Sequence, residues 1–252
     1  MTTSELMHLI PKDIGTGAEI SLRSGFFAEC IPLFSILLVT WIMSKIEKRP
    51  NSVYGLGGKR RIPNFFVGMA WGFICLSFLV LTLSKTGFLQ FDKRLLFGAE
   101  VLRYRLIWFV GFLLVGFVEE YLNRGYLLFT LTRGLAGIYS WLFKTRQSKT
   151  LGFWTSALIV SLLFGVGHKT NPGESPIGLL SAGLGSIVFC LSLWRTGSLW
   201  WAIGFHASWD WAQSFLRELK RRKPAQYSAG GMQKRSSQTN GLFARGHHTM
   251  AH

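Results

Sequence analysis

Three long stretches of this chain carry no charged side chain, and their length restricts the fold more than any other feature. Ile62–Ser84 runs for 23 residues, Thr150–Gly167 for 18 and Ser175–Trp194 for 20. A helix rises ~1.5 Å per residue, so ~20 apolar residues cross a hydrocarbon core ~30 Å thick. Charged residues make up 16% of the sequence, well below the ~25% of a typical soluble domain. The three blocks read as membrane spans.

Extending the same reading predicts spans at about 26–44, 62–84, 106–132, 150–168, 175–194 and 196–216. The expected fold is an all-α, polytopic membrane bundle of about six to seven transmembrane helices. Residues 26–216 form the membrane domain. Residues 1–25 are a polar N-terminal segment interrupted by Pro11 and Gly15, and 217–252 are a basic tail rich in Gly, Ser and Gln, expected to be disordered. The mixed segment 86–103 reads as an interfacial or re-entrant helix. Gly134–Phe143 reads as a separate apolar piece too short to span. Gly68 and Gly72 have the spacing that lets a neighbouring helix approach closely.

The formal charge is +16, which raises the question of nucleic acid. Its distribution answers it. Lys45–Arg61 holds six basic residues and one acid, and Arg217 to the end holds eight and one, so 12 of the 16 charges lie in two stretches flanking the spans. Basic flanks are what the positive-inside bias produces, and no basic surface interleaved with exposed aromatics is evident. The expected partner is therefore membrane lipid, with no nucleic acid, and the expected location is integral and multi-pass. Cys30, Cys75 and Cys190 sit inside apolar blocks without a CxxC or metal-finger spacing, so they read as core residues.

Against this background, ionisable residues inside spans stand out, since each costs several kcal/mol, from ~2.5 upward at the centre. Glu119 has 13 residues of its block on either side, and His206 has 10 on either side within 196–216. Glu120 and Arg124 are one helical turn apart, an ion-pair spacing, while Glu119 points ~100° away from Glu120. His206 and Asp210 share the four-residue spacing, so the carboxylate could hold the imidazole in one tautomer. Phe164 and His168 share it again. The plainer readings are helix-to-helix glue for Glu120–Arg124 and an interfacial residue for His168.

In order along the chain, Glu119-Glu120-Tyr121-Leu122-Asn123-Arg124 stands as EExxxR, Phe164-Gly165-Val166-Gly167-His168 as FxxxH, and His206-Ala207-Ser208-Trp209-Asp210 as HxxxD. Together, each on a long apolar segment, these resemble the three motifs of the CPBP intramembrane proteases, which include CAAX proteases and bacteriocin-processing enzymes. The resemblance covers about residues 100–216. It implies an intramembrane endopeptidase of a bacterial cell membrane, acting on a membrane-tethered protein or peptide, in which Glu119 with His168 activates water while His206 and residue 210 stabilise the tetrahedral oxygen. Glu120, Arg124 and Phe164 would support them. Asp210 stands where some well-known relatives carry Asn, and an ionised Asp cannot donate to an oxyanion. The cofactor is either none or a divalent metal such as zinc, for which Glu119, His168 and His206 are the candidate ligands. The competing readings are a proton-coupled transporter and a non-catalytic immunity or scaffold protein of the same fold.

Overall fold

A computed structural model of the chain describes residues 22–89, 99–171 and 173–221. The N-terminal segment before Leu22, residues 90–98 of the 86–103 segment and the tail beyond Arg221 lie outside the described residues, and 99–103 form the start of α3 rather than a separate interfacial helix. What is described is helical, with no strand. In chain order the helices are α1 (Leu22–Ile46), α2 (Arg61–Lys85), α3 (Ala99–Glu120), α4 (Leu128–Phe143), α5 (Ser148–Gly167), α6 (Pro176–Thr196) and α7 (Trp200–Arg221). A 3₁₀ turn, Asn51–Tyr54, follows α1, and another, His168–Thr170, follows α5.

Local chemistry sets several of these boundaries. Ser175 accepts from the Gly178 N–H at 3.1 Å, with Pro176 at the first helical position, where its missing N–H costs nothing. Gly197 ends α6 in the left-handed conformation at φ 65°, a position that favours glycine. Pro32 lies inside α1, as membrane helices tolerate.

The separate short piece expected at Gly134–Phe143 does not exist as such. α3 passes through a seven-residue π-helical segment, Tyr121–Leu127, directly into α4, and Arg105–Phe143 is one uninterrupted apolar helix of 39 residues. Gly134 faces open space, so it breaks nothing. At ~1.5 Å per residue this helix is about 58 Å long, nearly twice the hydrocarbon core, and the π segment near its middle is where such a helix can change direction.

Five helical stretches among the described residues are long and apolar enough to cross a membrane, namely α1, α2, the α3–α4 helix, α5 and α6. Their outward faces carry Phe34, Phe78, Leu162 and Ile177 exposed, an apolar surface suited to lipid. This is an integral, multi-pass membrane protein. α7 is the least apolar long helix and lies against α2, α3 and α6. Its inward residues Ala202, Ile203, Ala207 and Ser208 are fully buried.

The tightest packing is between α2 and α7. A Cβ on Gly68 would meet the Trp201 carbonyl, and one on Gly72 would meet the Ser208 hydroxyl and the Phe205 carbonyl. Backbones in lipid gain by such approach, because packing rather than water exclusion drives their association. Ser208 also donates to the Met69 carbonyl at 3.1 Å across the same contact. Gly72→Leu is expected to destabilise the bundle by about 1–3 kcal/mol, read as a thermal midpoint in detergent lowered by roughly 2–10 °C. An unchanged midpoint would mean that the two helices separate without cost.

Candidate active site

The site is built where the α3–α4 helix crosses α7. Glu119 and Glu120 end α3, and the π segment begins at the next residue, with Leu128 N–H donating five residues back to the Asn123 carbonyl. Single π turns inside α-helices recur at functional sites because they change which residues share a face. Asn123 donates its side-chain amide to the Glu119 carbonyl at 2.8 Å, securing the backbone at the junction.

His206 is the hub. Its Nδ1 lies 2.9 Å from Glu120 Oε1, and its Nε2 lies 3.3 Å from Asp210 Oδ2 and 3.8 Å from Glu119 Oε2. Glu120 Oε1 also accepts from Arg124 Nη1 at 2.8 Å, with both side chains fully buried. Adjacent glutamates therefore reach the two nitrogens of one imidazole from different sides. Because a carboxylate only accepts, hydrogens on both Nδ1, facing Glu120, and Nε2, facing Asp210, satisfy these contacts, so the site suits a doubly protonated imidazolium whose orientation the two carboxylates fix.

Aromatic rings enclose this cluster. The Arg124 guanidinium lies 4.2 Å from the Phe164 ring centroid and 5.2 Å from that of Phe189. Phe189 stacks on His206 at 5.6 Å and Phe164 meets it edge-on at 6.1 Å. Both rings keep water away from the cluster, which makes the Glu120–Arg124–His206 contacts stronger than they would be in water.

His168 occupies a different position. Its ring packs on Phe164 at 4.6 Å and its Nδ1 lies 2.8 Å from the Phe164 carbonyl. A carbonyl can only accept, so Nδ1 carries the hydrogen and Nε2 keeps its lone pair. His168 is within electrostatic reach of Glu119 but makes no direct contact with it or with His206. His168 lies just past the end of α5, whereas Glu119 and His206 are at the middle of their segments. The site is correspondingly one-sided: the Glu119 and Asp210 side chains are 35% and 26% exposed, against 0% for Glu120.

The structure thus brings together Glu119, Glu120, Arg124, Phe164, His206 and Asp210, with His168 beyond the Phe164 ring. Spacing along the chain pairs Glu120 with Arg124 alone, but its carboxylate also holds His206. Phe189 and the half-buried Glu29, which is within electrostatic reach of Glu119, belong to the surroundings as well. Phe189 has no motif to mark it, while Glu29 stands in the sequence as an acid near the start of the 26–44 span.

Among the described residues, no three His, Cys, Asp or Glu side chains are grouped so as to hold a metal ion. Glu119, His168 and His206 are not grouped in that way, while the hydrogen bond from His168 Nδ1 to the Phe164 carbonyl leaves its Nε2 available. Glu119 Oε2 is buried and has no hydrogen-bond partner among the described residues, which leaves it open as a proton acceptor beside the His206 ring.

Residues 101–212 match a family model described as type II CAAX prenyl endopeptidase Rce1-like. No curated protein and no solved structure matches the chain.

Proposed function

With residues 101–212 matching the model of the Rce1-like type II CAAX prenyl endopeptidase family, we propose that the chain hydrolyses a peptide bond in a membrane-tethered protein or peptide, using Glu119 as the base that activates water. The observation that carries this reading is the disposition of Glu119. Its Oε2 is buried and without a hydrogen-bond partner among the described residues, and lies 3.8 Å from His206 Nε2, on a side chain that is 35% exposed.

In the proposed reaction a water molecule lies between Glu119 and the open Nε2 of His168. Glu119 takes its proton, and the hydroxide attacks the scissile carbonyl carbon. The carbonyl oxygen gains negative charge and meets the Nε2–H of His206, whose opposite nitrogen is held by Glu120. The C–N bond breaks, and the proton held on Glu119 passes to the leaving nitrogen. Glu120 and Arg124 touch neither water nor substrate in this scheme. They position His206.

Asp210 faces the same Nε2–H that the oxyanion would use, and so competes for it. Asp210→Asn removes one carboxylate and adds a donor. It is expected to raise kcat roughly fivefold, equivalent to about 1 kcal/mol of added oxyanion stabilisation. Steady-state cleavage rates check this, and a loss of activity would mean that the charge on Asp210 is itself required.

The reading is tested with the full chain in proteoliposomes, offered a lipid-anchored peptide and the same peptide without its anchor, with products identified by mass spectrometry. Cleavage of the anchored peptide at one bond is expected. No cleavage of any tethered peptide, prenylated or acylated, would contradict it.

A further inference from the structure

Outside the catalytic cluster, a cleft of about 500 Å³ lies where α1 ends, with Trp41, Lys45, Lys48, Arg49 and Asn51 among its lining residues. The helix closes in a Schellman pattern. Arg49 N–H donates to the Ser44 carbonyl at 2.9 Å, and Lys48 N–H to the Lys45 carbonyl at 3.3 Å. That pattern puts Lys48 in the left-handed region at φ 52°, a position that favours glycine and disfavours a side chain. A lysine placed there despite the strain points to a use for its ammonium group.

The charges around the cleft do not cancel. Glu47 is engaged by Arg133 at 3.3 Å and by Arg49 at 3.7 Å. Lys45, Lys48, Arg49 and Arg133 give four positive charges against that one acid, a local +3. The carbonyl end of α1 contributes only about half a negative charge, too little to reverse the sign. Lys45 also lies over Trp41, 5.9 Å from the ring centroid. Asn51 adds an acceptor, because its Oδ1 is buried without a hydrogen-bond partner among the described residues.

An apolar path leads to these cations. Phe34, Leu38, Trp41 and Ile42 are exposed and follow the helical repeat along one face of α1, which Lys45 continues. We propose that the cleft binds one anionic glycerophospholipid whose headgroup carries a hydroxyl. The phosphodiester sits among Lys45, Lys48 and Arg49, the headgroup hydroxyl donates to Asn51 Oδ1, and the acyl chains run along Phe34, Leu38 and Ile42. A basic flank in general attracts anionic lipid diffusely; here one cation is set at a strained backbone position, and a buried acceptor asks for a donor.

The test uses the full chain in detergent, with lipid binding followed by native mass spectrometry. The probes are short-chain phosphatidylglycerol, phosphatidylmethanol, which is anionic but lacks the headgroup hydroxyl, and phosphatidylcholine. Phosphatidylglycerol is expected to bind tightest and phosphatidylcholine weakest. Lys48→Gly is expected to weaken phosphatidylglycerol binding roughly fivefold while the thermal midpoint holds or rises, an outcome that a merely structural lysine would not give. Asn51→Ala is expected to erase the preference for phosphatidylglycerol over phosphatidylmethanol. The paired Lys59→Gln and Arg60→Gln changes, in the same basic linker, are expected to leave binding unaltered. Equal binding of phosphatidylcholine, undiminished binding in Lys48→Gly, equal weakening by the linker control, or a surviving headgroup preference in Asn51→Ala would overturn the proposal. Displacement of the lipid by millimolar inorganic phosphate would do so too, since it would assign the cleft to free phosphate.

Discussion

Glu119→Gln is expected to lower kcat for cleavage of a tethered peptide by 10²–10⁴-fold, the usual contribution of a positioned general base, while the protein stays folded. The substitution keeps the shape of the side chain and removes only its capacity to take a proton. Nothing in the fold depends on that capacity, because Glu119 Oε2 makes no hydrogen bond among the described residues and the side chain is 35% exposed. A paired measurement of cleavage rate and thermal midpoint checks both halves. Activity within threefold of the parent would remove Glu119 from the chemistry. A collapsed midpoint would mean that the carboxylate is structural.

Arg124→Leu should show the opposite pattern, with stability lost first. Arg124 and Glu120 form an ion pair with neither side chain exposed, so removing the guanidinium leaves the Glu120 carboxylate buried with His206 as its one remaining partner among the described residues. Breaking a buried pair from one side costs about 3–5 kcal/mol, which corresponds to a midpoint roughly 6–20 °C lower. Replacing both partners with leucine is expected to restore most of that stability, since apolar residues of similar volume often serve as well as a buried pair. It should not restore cleavage, because His206 Nδ1 would lose its acceptor. Stability and activity thus separate in the double variant, and that separation marks Glu120 as a positioning residue. Recovery of both together would assign the pair to packing alone.

The extent of what sequence alone discloses follows from the range of the forces involved. Charge-free blocks are local, and helix length against bilayer thickness is a local constraint, so the helices emerge within a few residues of their observed ends. Gly134–Phe143 misled because Arg133 and Gly134 resemble a break. In the bundle, Arg133 reaches Glu47 at 3.3 Å and Gly134 meets nothing, so the helix continues. The site is less legible. Spacing pairs Glu120 with Arg124 and His206 with Asp210, and both contacts exist, but the bond linking Glu120 to His206 spans 86 positions in the chain. Periodicity cannot report a contact made between helices. Phe189 escaped notice for the same reason: one phenylalanine in an apolar helix is unremarkable until another helix brings His206 onto its face. The π segment is a further example, since no residue of Tyr121–Leu127 announces that the helix will widen there.

The most direct test of water attack assisted by Glu119 is a single-turnover cleavage in ¹⁸O-enriched water, with both the product and the protein analysed by mass spectrometry. One ¹⁸O in the newly formed product carboxylate, with the Glu119 peptide unlabelled, is the expected result. Label in the side chain of Glu119 and none in the product would mean that the carboxylate attacks the peptide itself, and would contradict the account.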